Sequence, residues 1–103
     1  MKIPNKIQCS CFEYSIEEHS RSEMGDSMGD LNRETKVIRI TKDLEQQVKK
    51  ETLLHELLHV TLDDYSIEDD LEEKIVRLLS PRIMELFKRN PKLLEVLFGK
   101  EEI

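Results

Sequence analysis

The stretch KKETLLHELLHVTLDD, residues 49–64, places two of the chain's three histidines four positions apart, with Glu56 directly after the first. No other feature constrains the fold as tightly. On a helix, positions i and i+4 project from one face a turn apart. Two imidazoles so placed, His55 and His59, can reach one zinc ion at bond lengths of about 2.0–2.1 Å. Position i+1 lies about 100° around the helix, so Glu56 is poorly placed to be a third ligand on that face. It can instead lean over a water held at the metal, take its proton during attack and pass it to a leaving group. H-E-x-x-H on a helix therefore encodes a division of labour as well as a composition.

With three His and fifteen Glu among 103 residues, random order would place this pattern in about 1% of such chains. The alternative is a structural helix whose histidines are satisfied core residues. Against it, the segment from Leu53 to Leu62 carries apolar residues around nearly its whole circumference, the pattern of a central, buried helix. Two imidazoles and a carboxylate on such a helix need partners, because an unpaired buried carboxylate costs several kcal/mol. A zinc ion would supply them.

The rest of the chain sets the surroundings. At 103 residues it is expected to form a single domain over residues 1–103, with a modest core and little material for substrate walls. The formal charge of -6 comes from 16 basic and 22 acidic residues and shows no basic stripe, so nucleic acid is not an expected partner. No apolar run approaches the ~18 residues of a membrane span, and MKIPNKIQCSCFEYS lacks the apolar centre of a secretory signal. The expected location is cytoplasmic. Cys9 and Cys11 are then expected as reduced, half-buried residues on one face of a strand.

Residues 6–17 read as extended, with Ile7, Cys9 and Cys11 on one parity and Phe12, Tyr14 and Ile16 on the other. The switch predicts a bulge or turn near Cys11-Phe12. Residues 18–35 read as a long polar loop, and KVIRI, residues 36–40, as a strand. The motif helix is predicted to start near Thr41 or Asp43 and run to Leu62. A second helix carries Ile67, Leu71, Ile75, Leu78, Leu79, Ile83 and Leu86, kinked or divided at Pro81. Asn90-Pro91 opens a short last helix, Lys92 to Phe98, that Gly99 stops. Strands first and helices after predict an α+β fold: a small N-terminal sheet packed on the central H-E-x-x-H helix, with two or three further helices.

A catalytic zinc site needs three protein ligands and an open position. No histidine follows His59, so a carboxylate on the second helix is the expected third ligand, with Glu72 and Glu73 as neighbours in competition. Periodicity puts Glu72 toward the apolar arc and Glu73 beyond its edge, and a ligand in an open cleft belongs at an edge; the wheel does not choose between them. KVIRI, then TLLHELLHV, then an E-x-I-V-x-x-L helix and the terminal RNPKLLEVL resemble small metallopeptidase-like proteins of phages and mobile elements, akin to the ImmA/IrrE family of zincins. The resemblance spans residues 36–98. It implies Glu73 as third ligand, because Val76 follows it by three positions in the family's manner, and it implies cleavage of regulatory proteins such as repressors.

Three other candidates carry less. Seven acids in residues 63–73 suggest a calcium loop, but an EF-hand starting at Asp63 would need Gly where Glu68 stands and Glu where Lys74 stands. A solvated, helix-capping segment is the expected role. Tyr65 is weighed as an oxyanion donor against a surface or packing role, which is preferred, and His19 receives no role. The expected function is zinc-dependent peptide-bond hydrolysis, with His55, His59 and Glu73 on the metal, Glu56 as base, and a protein or peptide substrate laid along a sheet edge near Ile38 and Ile40. The competing readings are a zinc-holding module that binds a regulatory protein without cutting it, and a regulator in which the motif helix is purely structural.

Overall fold

A computed structural model describes residues 2–99; the first residue and the last four of the expected domain lie outside the described residues. The elements run β1 (Lys6–Cys9), β2 (Phe12–His19), α1 (Arg21–Met24), β3 (Gly29–Asn32), β4 (Val37–Thr41), α2 (Gln46–Thr61), α3 (Asp69–Arg89) and α4 (Lys92–Phe98). The α+β class is as expected. The four strands form one sheet in the order β1-β2-β4-β3, with β2 and β4 parallel and the outer pairs antiparallel.

The parity switch near Cys11 is a chain reversal. Cys9 pairs with Phe12 across a two-residue turn, and Ser10 takes the left-handed backbone such turns require, φ 58°. Cys9 is half-buried as expected, but Cys11 sits exposed in the turn, and both thiols are free.

The expected loop over 18–35 is the main correction. It contains the end of β2, then α1, capped by Ser20 with a reciprocal bond from Glu23, then β3. Gly-Asp-Leu-Asn is a poor strand former by composition, so pairing with β4 imposes the strand there. Because β3 lies outside β4, Ile38 and Ile40 are interior and fully buried. The edges of the sheet are β1 and β3, so the expected substrate path along an edge beside those two isoleucines does not exist.

The motif helix α2 begins at Gln46, later than expected. Thr41 ends β4 instead, and the Glu45 side chain caps the helix by accepting from the Gln47 and Val48 amides at 3.1 and 3.3 Å. Val60 and the flanks of Leu53 and Leu57 meet Tyr14, Ile16, Ile38 and Ile40 of the sheet. The helix is only partly enclosed, however. Its buried residues are Thr52, Glu56 and Val60, and Leu53, Leu54, Leu57 and Leu58 are half-buried. A chain this short has one sheet and one helix to lay against α2, too little to cover every side.

Helix α3 runs unbroken through Pro81. Proline leaves the carbonyl of Arg77 without its helical donor, and both residues are exposed, where water can bond to it. The face α3 buries is Glu72, Val76 and Ser80, while Leu71, Leu78, Leu79 and Leu86 stand 41–57% exposed. The leucine stripe that resembled a core face points outward. No helix among the described residues is long and apolar enough to cross a membrane.

Candidate metal centre

Helix α2 presents His55 and His59 one turn apart, with ring centroids 5.1 Å apart, and α3 brings Glu73 against both. His55 Nε2 lies 3.0 Å from Glu73 Oε1, and His59 Nε2 lies 3.0 Å from Glu73 Oε2. One donor atom from each of the three residues falls within 4.8 Å of the others, so the trio could hold a metal ion. Tetrahedral bonds of about 2.0–2.2 Å require donors about 3.3–3.5 Å apart, close to what these side chains already show.

The second acidic neighbour has a different position. Glu72 is 1% exposed, inside the helix pair, where its Oε2 faces His59 Nδ1 at 2.6 Å and accepts from an Arg33 guanidinium N–H. A carboxylate acceptor fixes the imidazole proton on Nδ1, which leaves the Nε2 lone pair facing the Glu73 oxygens. Lone pair against carboxylate is repulsive unless a cation sits between them, either a second ring proton or a metal ion. The donor set therefore fits a cation at this point, and a carboxylate behind a ligating histidine is the usual way to orient one.

Behind Glu72 lies a charged network absent from the sequence reading. Asp63, expected as a solvated cap, is buried to 4% side-chain exposure. It accepts from Tyr14 Oη at 2.6 Å, Lys36 Nζ at 2.8 Å and Arg33 at 3.2 Å. Arg33 thus joins Asp63 to Glu72, and through Glu72 it reaches His59. Burial pushes the Asp63 carboxyl up, but bonds from Lys36 and Tyr14 and the nearby cations outweigh it and hold it below its ordinary value. Burial raises the Tyr14 hydroxyl, and Asp63 raises it further. In the sequence, Arg33 and Lys36 are two cations in a chain rich in acids, with nothing local to name their partners.

Glu56 is 7% exposed and lines the same clefts as His55 and Glu73. Burial, reinforced by the charges of Glu73 and Asp30 and opposed by His59, raises its carboxyl to about 7. A base poised near neutrality is the condition for efficient proton transfer at that pH. For Glu73, burial pushes upward too, but His55, His59 and the Arg77 hydrogen bond prevail and hold it below its ordinary value.

Two open clefts meet at this point. One, of about 460 Å³, runs past Met28, Val48, Thr52 and Pro81. The other, of about 300 Å³, runs past Asp30, Leu31 and Arg33. Both are lined by Gly29, His55, Glu56 and Glu73. Gly29 is what lets β3 approach α2 so closely, since a Cβ there would stand 2.7 Å from Thr52 Cγ2 and 3.3 Å from Glu56 Cγ. Tyr65 is 64% exposed and lines neither cleft. His19 bonds Glu17 at 2.8 Å and Glu23 at 3.0 Å, outside the trio.

A four-stranded sheet under an H-E-x-x-H helix, with a carboxylate returned from the next helix, defines a peptidase-like domain. Residues 10–88 match Peptidase_M78, the IrrE N-terminal-like domain, and the chain belongs to that family. The match begins earlier than the resemblance noted over 36–98 and stops before α4, so it includes the trio, Glu56 and the whole Arg33 network. No curated protein and no solved structure matches the chain.

Proposed function

We propose that this protein is a zinc-dependent metallopeptidase, with His55, His59 and Glu73 holding the ion and Glu56 as general base. One observation carries the reading: both histidine Nε2 atoms converge on Glu73 at 3.0 Å, while Glu56 borders the two clefts that meet there. Zinc, when bound, supplies a Lewis acid that polarises a peptide carbonyl and a water nucleophile at neutral pH. Glu56 accepts the proton of the attacking water and returns it to the departing amide nitrogen. Glu72, held by Arg33, keeps His59 in the tautomer that offers Nε2. The free edge of β3 accepts an extended peptide backbone, with side chains falling into the clefts on either side of Gly29.

The substrate would be a protein or peptide, consistent with a phage or host regulatory protein in the cytoplasm. The acidic surface disfavours nucleic acid, and nothing in the reading calls for a membrane. A zinc-holding module that binds such a protein without cutting it is the second reading. It is favoured by one observation: the two guanidinium groups that line the clefts are already engaged, Arg33 giving N–H groups to Glu72 and Asp63 and Arg77 giving one to Glu73. Glu56→Gln separates the two. Hydrolysis of a candidate regulatory protein lost with zinc content retained supports the peptidase; unchanged biological effect with zinc retained supports binding alone.

A further inference from the structure

The exposed stripe of α3 has a symmetry that says what covers it. Taking about 100° per residue, Leu71, Ile75, Leu78, Leu79 and Leu86 fall within about 100° of arc. Glu73 and Ser80, which line the larger cleft, lie on the opposite side, and Pro81 lies between the two faces. Four of the five stripe residues are 41–57% exposed, an apolar band interrupted by Arg82 and of the kind that marks an interaction site.

We infer that this face pairs with α3 of a second copy of the chain, antiparallel and centred between Leu78 and Leu79. That register sets Leu71 against Leu86 of the second copy, Leu78 against its Leu79, and Ile75 against the aliphatic stem of its Arg82. The charges follow the same centre. Glu68 at the start of α3 meets Arg89 of the second copy at its end, and Lys74 comes beside Glu85. A parallel pairing would set Glu68 against Glu68 and Arg82 against Arg82, so electrostatics selects the antiparallel arrangement, in which the helix dipoles also oppose. An unrelated partner has no reason to match a charge pattern that reads as its own complement; a second copy does so by symmetry. The existing contact between Arg89 and Glu85 is 3.7 Å long and exposed on both sides, too weak to hold Arg89 from a partner. Because the stripe lies opposite the cleft, pairing leaves both active-site clefts open.

Sedimentation equilibrium on the chain tests this. The expected mass rises with concentration toward twice the single-chain 12.2 kDa. Leu78→Glu with Leu79→Glu should give a monomer with an unchanged circular dichroism spectrum. Arg89→Glu should weaken the dimer by about tenfold, equivalent to about 1.4 kcal/mol, and Glu68→Arg added to it should restore the dimer. A monomer at every concentration overturns the inference. So does a dimer indifferent to the leucine changes, or a charge reversal that the second reversal fails to rescue. Should the leucine variant unfold, the exposed charge pair still decides the matter.

Discussion

Arg33→Ala should be among the most damaging single changes outside the ligand set. It removes the guanidinium from Glu72, whose side chain is 1% exposed and whose Oε1 has no hydrogen-bond partner. Breaking a buried pair from one side costs about 3–5 kcal/mol, because the remaining charge stays buried. Two features reduce this. Arg33 is itself 38% exposed, so solvent screens part of the interaction, and Asp63 keeps Lys36 and Tyr14. The net loss should be about 2–3 kcal/mol, a large share of the 5–15 kcal/mol typical of a small domain. That corresponds to a fall in Tm of about 10–20 °C. The assay is urea unfolding in chelator at pH 8, with zinc affinity measured in parallel by competition. Glu72→Gln in the Arg33→Ala background removes the stranded charge and should recover at least about 1 kcal/mol, a coupling within the range of contacting pairs. Zinc affinity should fall in Arg33→Ala by at most the about 10–100-fold of a lost orienting partner, as the Glu72 carboxylate that orients His59 loses its anchor. A stability loss under about 0.5 kcal/mol, or a double variant no more stable than the single, would refute the reasoning.

Two further outcomes follow from single contacts. Gly29→Ala forces a methyl to within 2.7 Å of Thr52 Cγ2, whose rotamer is fixed by its Oγ1 bond to the Val48 carbonyl at 2.8 Å; calorimetry should show about 1–3 kcal/mol lost, partly regained by adding Thr52→Ser, and a neutral Gly29→Ala would mean that β3 and α2 do not meet as described. The Asp63 carboxyl is held below its ordinary value when folded, so its contribution is present above the unfolded pKa of about 3.8 and lost as pH falls through the folded value. Asp63→Asn should therefore be less stable near neutrality and show a flatter acid limb below about pH 4, whereas an acid limb unchanged in slope would place Asp63 outside the network.

The H-E-x-x-H geometry was legible because its information is local, two rings and a carboxylate within five consecutive positions of one helix. Even the indecision over Glu72 and Glu73 reflected the structure. Glu72 is the inward residue, against His59 Nδ1, and Glu73 the one at the cleft edge, against both Nε2 atoms. What could not be read is what depends on distance along the chain. Arg33 and Glu72 are 39 positions apart and Tyr14 and Asp63 are 49 apart, so no window of sequence contains either pair. Strand β3 escaped because Gly29, Asp30 and Asn32 are poor strand formers, held in place by β4. The leucines of α3 show a further limit. Periodicity tells which side chains share a face, and packing alone tells whether that face turns inward.

Zinc content of the purified chain, compared among the wild type, Glu56→Gln and His55→Ala, tests the metal centre most directly. One tightly held equivalent is expected in the first two and none in His55→Ala. A wild type that binds no equivalent, or a His55→Ala protein that binds as much, would contradict the assignment of His55, His59 and Glu73 as the ligands.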